Sequence, residues 1–391
     1  MGAFAIYRLP YQTQCTLVVQ GDDDPEVLHS IGELSGRSGY VVAPFALSEE
    51  SPLLLMRADE TAQLPLFLGD EDQTPLLTPE RLAEVCPAFA NTPFSLCGES
   101  EGRGMNPPLN GGFEGDSQSR LRYHIDFANF HSHLQTGEFQ KIVLARCCHE
   151  PLPAGVSALQ LFQKACERYP RMFVTLFSSR QSGTWLMATP EILLDGSGQQ
   201  WRTIALAGTM EVQQGEPNWS TKNIHEQRYV ATYITECLEQ FLLGDVSPHA
   251  SHLSPLTPMT HDIREEGPYT TQAANVLHLR SDFSFTLPED AAIGRLLRRL
   301  HPTPAVCGLP KQQTFDFILR NEYVPRRYYS GFTGPLALSG ETHLYVSLRC
   351  MQIAADGCYL YAGGGLLRDS DEEQEWQETE SKLQAMKALL V

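Results

Sequence analysis

The stretch YVSLRCMQIAADGCYLYAGGGLL (345–367) carries two runs rich in β-branched, aromatic and aliphatic residues, parted by Ala-Ala-Asp-Gly. A short break of small and polar residues between two such runs predicts a β-hairpin. Two further features mark it out. Arg349 stands inside the first run, where an unpaired guanidinium is costly to bury, so it asks for an anionic partner. Gly363, Gly364 and Gly365 follow one another inside the second run, a pattern that marks close approach of backbone to a ligand.

Outward from the hairpin, FQKIVLARCC (139–148), MFVTLFSS (172–179), TWLMATPEILL (184–194) and HLYVSLRCMQIA (343–354) each read as a strand, and SGET (339–342) as a second hairpin turn. Helical patterns run through YHIDFANFHSHLQTG (123–137), SALQLFQKACERY (157–169), TKNIHEQRYVATYITECLEQFL (221–242) and the carboxyl-terminal segment. Strands joined as hairpins, with helices in separate blocks, predict the α+β class. Residues 1–96 mix short apolar runs with acidic loops. Residues 97–120, rich in Gly, Ser, Pro and Asn, read as a loop or linker, and 121–391 as the denser region that shares a domain with 1–96.

A net charge of −18 argues against nucleic acid and anionic membranes as general partners. It leaves room for a small anion, because a few local cations dominate inside a cleft. No run approaches the roughly 18 apolar residues of a membrane span, and MGAFAIYRLPYQTQ lacks the pattern of a signal peptide, so a cytoplasmic protein is expected. The ten cysteines form no C-x-x-C and read as core residues. With no added interface element in view, a monomer is expected.

Several residues admit a bland and a chemical reading. Lys141, at the start of a very apolar strand, either snorkels to the surface or serves as a desolvated base. Glu191, directly before another apolar run, is either a strand-edge carboxylate or a buried acid with a raised pKa. The backbone near Gly208 and the Thr209 hydroxyl end a strand, where they could meet an anion. Glu226 lies early in a helix, where the dipole favours carboxylates, and His278 stands between leucines. In the last helix, Trp376, Thr379, Leu383, Met386 and Leu390 fall on one stripe at about 100° per residue. Glu375, Glu378 and Lys382 share its flank, as a surface charge pair or the rim of a site, while Glu372, Glu373 and Glu380 read as solvated.

Together, KIVLAR, TPEILL, LAGT, K-N-x-x-E, HPTPAVCGLPK (301–311), YYSGFTG (328–334), YAGGGLL and EWQETESK resemble, in order and spacing, the chorismate-utilising enzymes over residues 120–391. That resemblance implies one large domain of two stacked antiparallel sheets flanked by helices, with the site in a cleft. Within the family the chain resembles the isochorismate synthase branch. Lys141 suits activation of water, Ala207 stands where aminodeoxychorismate synthases carry a nucleophilic lysine, and Ala305 where aminating enzymes tend to have Thr.

The resemblance implies Lys141 as base, Glu191 as acid, and Mg²⁺ held by Glu226 and Glu378. It further implies Arg349, the Gly363 backbone, Thr209, His278 and Lys382 as contacts to chorismate. Salicylate synthase, anthranilate synthase and an idle chorismate-binding subunit are the rival readings. Two departures from the family pattern are Gln227, where a His often follows the glutamate, and the acidic loop MEVQQGEPNWS (210–220).

Overall fold

Val41, Phe173, Trp185, Leu194, Ile204 and Tyr345 meet in one buried cluster although they come from two sheets. Phe173 and Tyr345 stack across the interface with ring centroids 4.4 Å apart. The computed structural model describes residues 2–66, 77–91, 116–212, 217–242, 263–274, 276–288 and 292–391. Its strands form two nine-stranded antiparallel sheets. In spatial order the first is β14 (Gly308–Leu309), β7 (Lys141–Glu150), β18 (Gly357–Leu366), β17 (Cys350–Ala354), β9 (Gly183–Thr189), β8 (Phe173–Ser179), β1 (Ala3–Arg8), β2 (Gln14–Gln20), β6 (Glu60–Pro65). The second is β12 (Arg264–Ala273), β13 (Val276–Thr286), β11 (Gln200–Glu211), β10 (Ile192–Ser197), β16 (Glu341–Val346), β15 (Phe332–Leu336), β4 (Gly39–Ala43), β5 (Leu53–Met56), β3 (Glu26–Leu28).

Helices α1 (Pro79–Val85), α2 (Asp116–Gln135), α3 (Ala158–Arg168), α4 (Thr221–Leu242), α5 (Ile293–Leu300), α6 (Lys311–Asn321) and α7 (Glu372–Lys387) flank the sheets. Strand periodicity sorts the core. On β8, Phe173 and Phe177 enter the inter-sheet cluster, while Val174 and Leu176 join an outer one with Phe162 of α3 and Leu383 and Met386 of α7. Ser157 closes a capping box on α3, and Asp371 caps α7 by accepting from the Gln374 amide at 3.1 Å.

Two segments read as single strands are each divided between the sheets. TWLMATPEILL becomes β9 in the first sheet and β10 in the second, broken at Pro190–Glu191. HLYVSLRCMQIA becomes β16 and β17, broken at 347–349, where Arg349 takes φ +43°. Apolar residues flank both breaks because both sheets bury them, so composition carries no sign of the crossing. The crossings are tied together. The Thr189 hydroxyl donates to the Val346 carbonyl at 2.6 Å, the Val346 amide to the Glu191 carbonyl at 2.9 Å, and the Ala188 amide to the Arg349 carbonyl at 3.0 Å.

Early strands enter both sheets, β1 pairing with β8 and β4 with β15. Of the stretch read as linker, 97–115 lies outside the described residues, and α2 already begins at Asp116. The α7 stripe is buried as expected through Met386, but Leu390 lies past the helix end and Leu389 takes the buried place. No helix among the described residues is long and apolar enough to cross a membrane.

Candidate active site

The three glycines stand where a strand loses one partner. β17 pairs with β18 from Ala354↔Gly357 to Cys350↔Tyr361, while β7 pairs with β18 as far as Leu366. From Ala362 onward, therefore, the β17 side of β18 is open, and it borders a cavity between the sheets. Gly363, Glu191, Thr209, Glu226, His278, Arg349 and Lys382 all line that cavity. These are seven of the nine residues singled out from the sequence. The other two stand directly behind the lining, Lys141 at 3.0 Å from Glu226 and Glu378 at 2.6 Å from Lys382.

Each wall has a local cause. On β11 the register slips between Ala207 and Thr209, and Gly208 takes φ +73°, so the strand bulges toward the cavity. The Gly208 carbonyl accepts from His278 Nδ1 at 3.0 Å, which leaves Nε2 to accept from Arg349 Nη2 at 2.7 Å. Burial, reinforced by the positive charges of Arg349 and Lys382, holds the His278 pKa well below its usual value. The ring is therefore neutral, and it aims a guanidinium that is itself buried.

Glu191, at the crossing between the sheets, is 2% exposed, and its Oε1 has no protein hydrogen-bond partner. Burial pushes its pKa up, against the pull of Arg349, Lys141 and Lys382, to about 7. A carboxyl group that still holds a proton near neutrality is suited to act as an acid.

Three carboxylates and three lysines meet over Gly364 and Gly365. Lys141 lies 3.0 Å from Glu226, Lys222 pairs with Glu375, and Lys382 bonds both Glu378 at 2.6 Å and the Gly363 carbonyl at 2.8 Å. Although burial acts to raise the Glu226 pKa, Lys141 and Lys222 outweigh it and keep the carboxylate ionised. Burial and the neighbouring Glu378 raise Glu375 to about 7, against the pull of Lys222.

Lys141 is wholly buried, and although it sits at ion-pair distance from Glu226 its Nζ makes no hydrogen bond of acceptable geometry. The side chain is thus held within reach of a partner with its hydrogen-bonding capacity unspent. Among the described residues no three acidic, His or Cys side chains form a closed metal cage, because each carboxylate is drawn toward its own lysine. The donor set nevertheless fits a hard cation. Glu375 Oε2 is buried without a partner, and side-chain oxygens of Glu226, Glu375 and Glu378 crowd the space that Cβ atoms at Gly364 and Gly365 would fill.

Glu375, Tyr329, Leu348 and Tyr361 belong to the site without having been assigned to it from sequence. Tyr329 had a signal, since it lies inside YYSGFTG, and Glu375 stood on the right flank of its helix. Glu380 departs from its reading as a solvated acid, since it pairs with the buried Arg146. Behind the cavity, Arg326 and Glu322 form a buried pair that substitutes for a missing strand. Arg326 donates to the Val306 carbonyl at 2.6 Å and the Val143 carbonyl at 2.8 Å, and Glu322 accepts from the Ala145 amide at 2.7 Å. They continue the edge of β7 beyond the two residues covered by β14.

The model of the family described as "Chorismate binding enzyme" matches residues 113–391. The chain belongs to this family. It is 31% identical over 291 residues to the salicylate biosynthesis isochorismate synthase of Pseudomonas aeruginosa, covering 71% of this chain and 57% of that protein. It is 32% identical over 265 residues to the isochorismate synthase MenF of Escherichia coli, covering 65% and 56% respectively. These matches thus span little more than half the length of the curated relatives. The fold agrees with the solved structure of Escherichia coli MenF, with a TM-score of 0.68 at 22% identity, over 100% of this chain and 89% of that one. In this family member, residues of those motifs line one cavity between two sheets or stand directly behind its lining.

Proposed function

We propose that this chain is an isochorismate synthase. The observation that carries the reading is Glu191 in the lining of the cavity with Lys141 directly behind that lining, on a separate element. Lys141 comes from β7 and stands directly behind the lining beside Glu226, and Glu191 comes from the β9–β10 crossing and lines the cavity. In its uncharged form Lys141 takes a proton from water as the water oxygen bonds to C2 of chorismate. The ring double bonds shift, the C4–O bond breaks, and Glu191 gives its proton to the departing hydroxyl. In the return direction the two residues exchange roles, so the reaction is reversible.

Arg349, aimed by neutral His278, takes one substrate carboxylate, with Thr209, Lys382 and the Gly363 backbone completing the anion site. Glu226 and Glu378, with Glu375 beside them, would hold Mg²⁺, which when bound neutralises the ring carboxylate. Ala207 and Ala305 line the cavity, so neither a lysine nucleophile nor a threonine is available at those positions. Residues 1–96 and 121–391 are read as one domain, because the early strands complete both sheets.

Product analysis after incubation with chorismate and Mg²⁺ tests the reading. Isochorismate is expected. Salicylate with pyruvate would favour a salicylate synthase, an ammonia-dependent aminated product an anthranilate synthase, and binding without turnover an idle subunit.

A further inference from the structure

Arg146 ends the KIVLAR stretch, and the proposed reaction leaves it unused. Side chains on β7 alternate. Val143 lines the cavity and Ala145 joins the inter-sheet core, whereas Ile142 and Leu144 face the outer cluster that contains Trp376. Arg146 follows the outer set, and its guanidinium lies 3.8 Å from the Trp376 ring centroid. Its Nε donates to Thr379 Oγ1 at 2.7 Å, and its Nη2 pairs with Glu380. The Thr379 hydroxyl in turn donates to the Trp376 carbonyl at 2.7 Å, so its lone pairs are left for the arginine.

One planar group therefore grips three residues of α7 spaced i, i+3 and i+4, which lie on one face of the helix. Glu375, Glu378 and Lys382 lie about 120° around the same helix at 100° per residue. Stacking fixes how far α7 stands from β7, and the two polar contacts fix its rotation. A rotation of about 10° moves a group at the helix's ~5–6 Å outer radius by about 1 Å. We propose that Arg146 is a positioning residue that sets the rotation of α7 and so places Glu375, Glu378 and Lys382 against the open edge of β18. The functional consequence rests on the reading that these three groups serve metal and substrate.

Arg146→Lys keeps the charge and loses the planar fork and the stacking. In the full-length protein without substrate, we expect Mn²⁺ affinity in this variant to fall at least tenfold by calorimetry. We expect amide exchange across 372–387 to quicken at least tenfold while β18 keeps its protection. With chorismate, half-saturating Mg²⁺ should rise in parallel, and kcat at saturating metal should stay within threefold. Glu380→Gln, which keeps the stacking, the Thr379 bond and a side-chain oxygen that can accept from Arg146 Nη2, should stay within twofold of the parent in all of these.

Unchanged exchange and unchanged Mn²⁺ affinity in Arg146→Lys would overturn the proposal, as would faster exchange with metal affinity intact. Should the parent protein itself bind no Mn²⁺, the metal reading fails separately. Exchange across 372–387 then decides for or against Arg146.

Discussion

Replacing the three glycines of β18 by alanine one at a time should produce a graded loss set by what each new methyl group meets. At Gly365 a Cβ would stand 2.1 Å from Glu226 Oε1 and 2.9 Å from Lys141 Cε. At Gly364 the nearest atoms are Glu375 Oε2 at 3.1 Å and Glu378 Oε1 at 3.7 Å. At Gly363 they are the Tyr329 hydroxyl at 2.8 Å and the Leu144 carbonyl at 3.0 Å. Ordinary contact at Gly365 requires Glu226 to retreat by about 1.3 Å, and it is buried and held beside Lys141. Displacing a catalytic or binding group by about 1 Å can cost roughly 10²-fold in rate, and overpacking costs about 1–3 kcal/mol of stability.

Gly365→Ala is therefore expected to lose about 10²-fold in kcat/KM for chorismate. Gly363→Ala should lie between, and Gly364→Ala should stay within about threefold, since a carboxylate tip can yield by a few tenths of an ångström. Initial rates across a Mg²⁺ titration, with thermal melts to separate misfolding from misplacement, measure the series. Gly365→Ala with parental kcat/KM, or Gly364→Ala as the worst of the three, would refute the placement of Glu226 and Lys141 over Gly365.

Two further outcomes follow from the same site. Glu191 titrates near 7 and must be protonated to act as acid, so kcat/KM should be flat in this group below about pH 7 and fall about tenfold per pH unit above it. Glu191→Gln should remove that limb along with turnover, and a rate still rising at pH 9 would contradict the assignment. Arg326→Met strands Glu322 as an unpaired buried carboxylate and should cost about 3–5 kcal/mol in denaturant unfolding. The double variant Glu322→Met with Arg326→Met should regain part of this loss, whereas additive losses would show that the pair is not the unit of stability.

What was legible in the sequence divides along physical lines. The strands within 139–148, 172–179 and the hairpin of 345–367, the α+β class, and α4 with its boundaries could be read, because hydrophobic period and turn chemistry are local. The crossings at Glu191 and Arg349 could not, since a chain passing between two buried sheets keeps the same apolar composition on both sides. The residues at those breaks were visible nonetheless, as a carboxylate and a guanidinium set in apolar text. Glu375 and Glu380 were harder. Glu375 was read onto the flank of the stripe and Glu380 as solvated, and what buries or pairs them depends on Lys222 and Arg146, far away in sequence. The Glu322–Arg326 pair had no local signal, because its purpose is to satisfy backbone groups on other segments.

The central claim is that a buried lysine activates solvent water for attack at C2, and running the reaction in ¹⁸O-labelled water tests it most directly. Isochorismate formed with Mg²⁺ should carry one ¹⁸O, on the C2 hydroxyl, and Lys141→Ala should form none while still binding chorismate. Unlabelled isochorismate, or labelled product from Lys141→Ala at a rate near the parent's, would contradict the account.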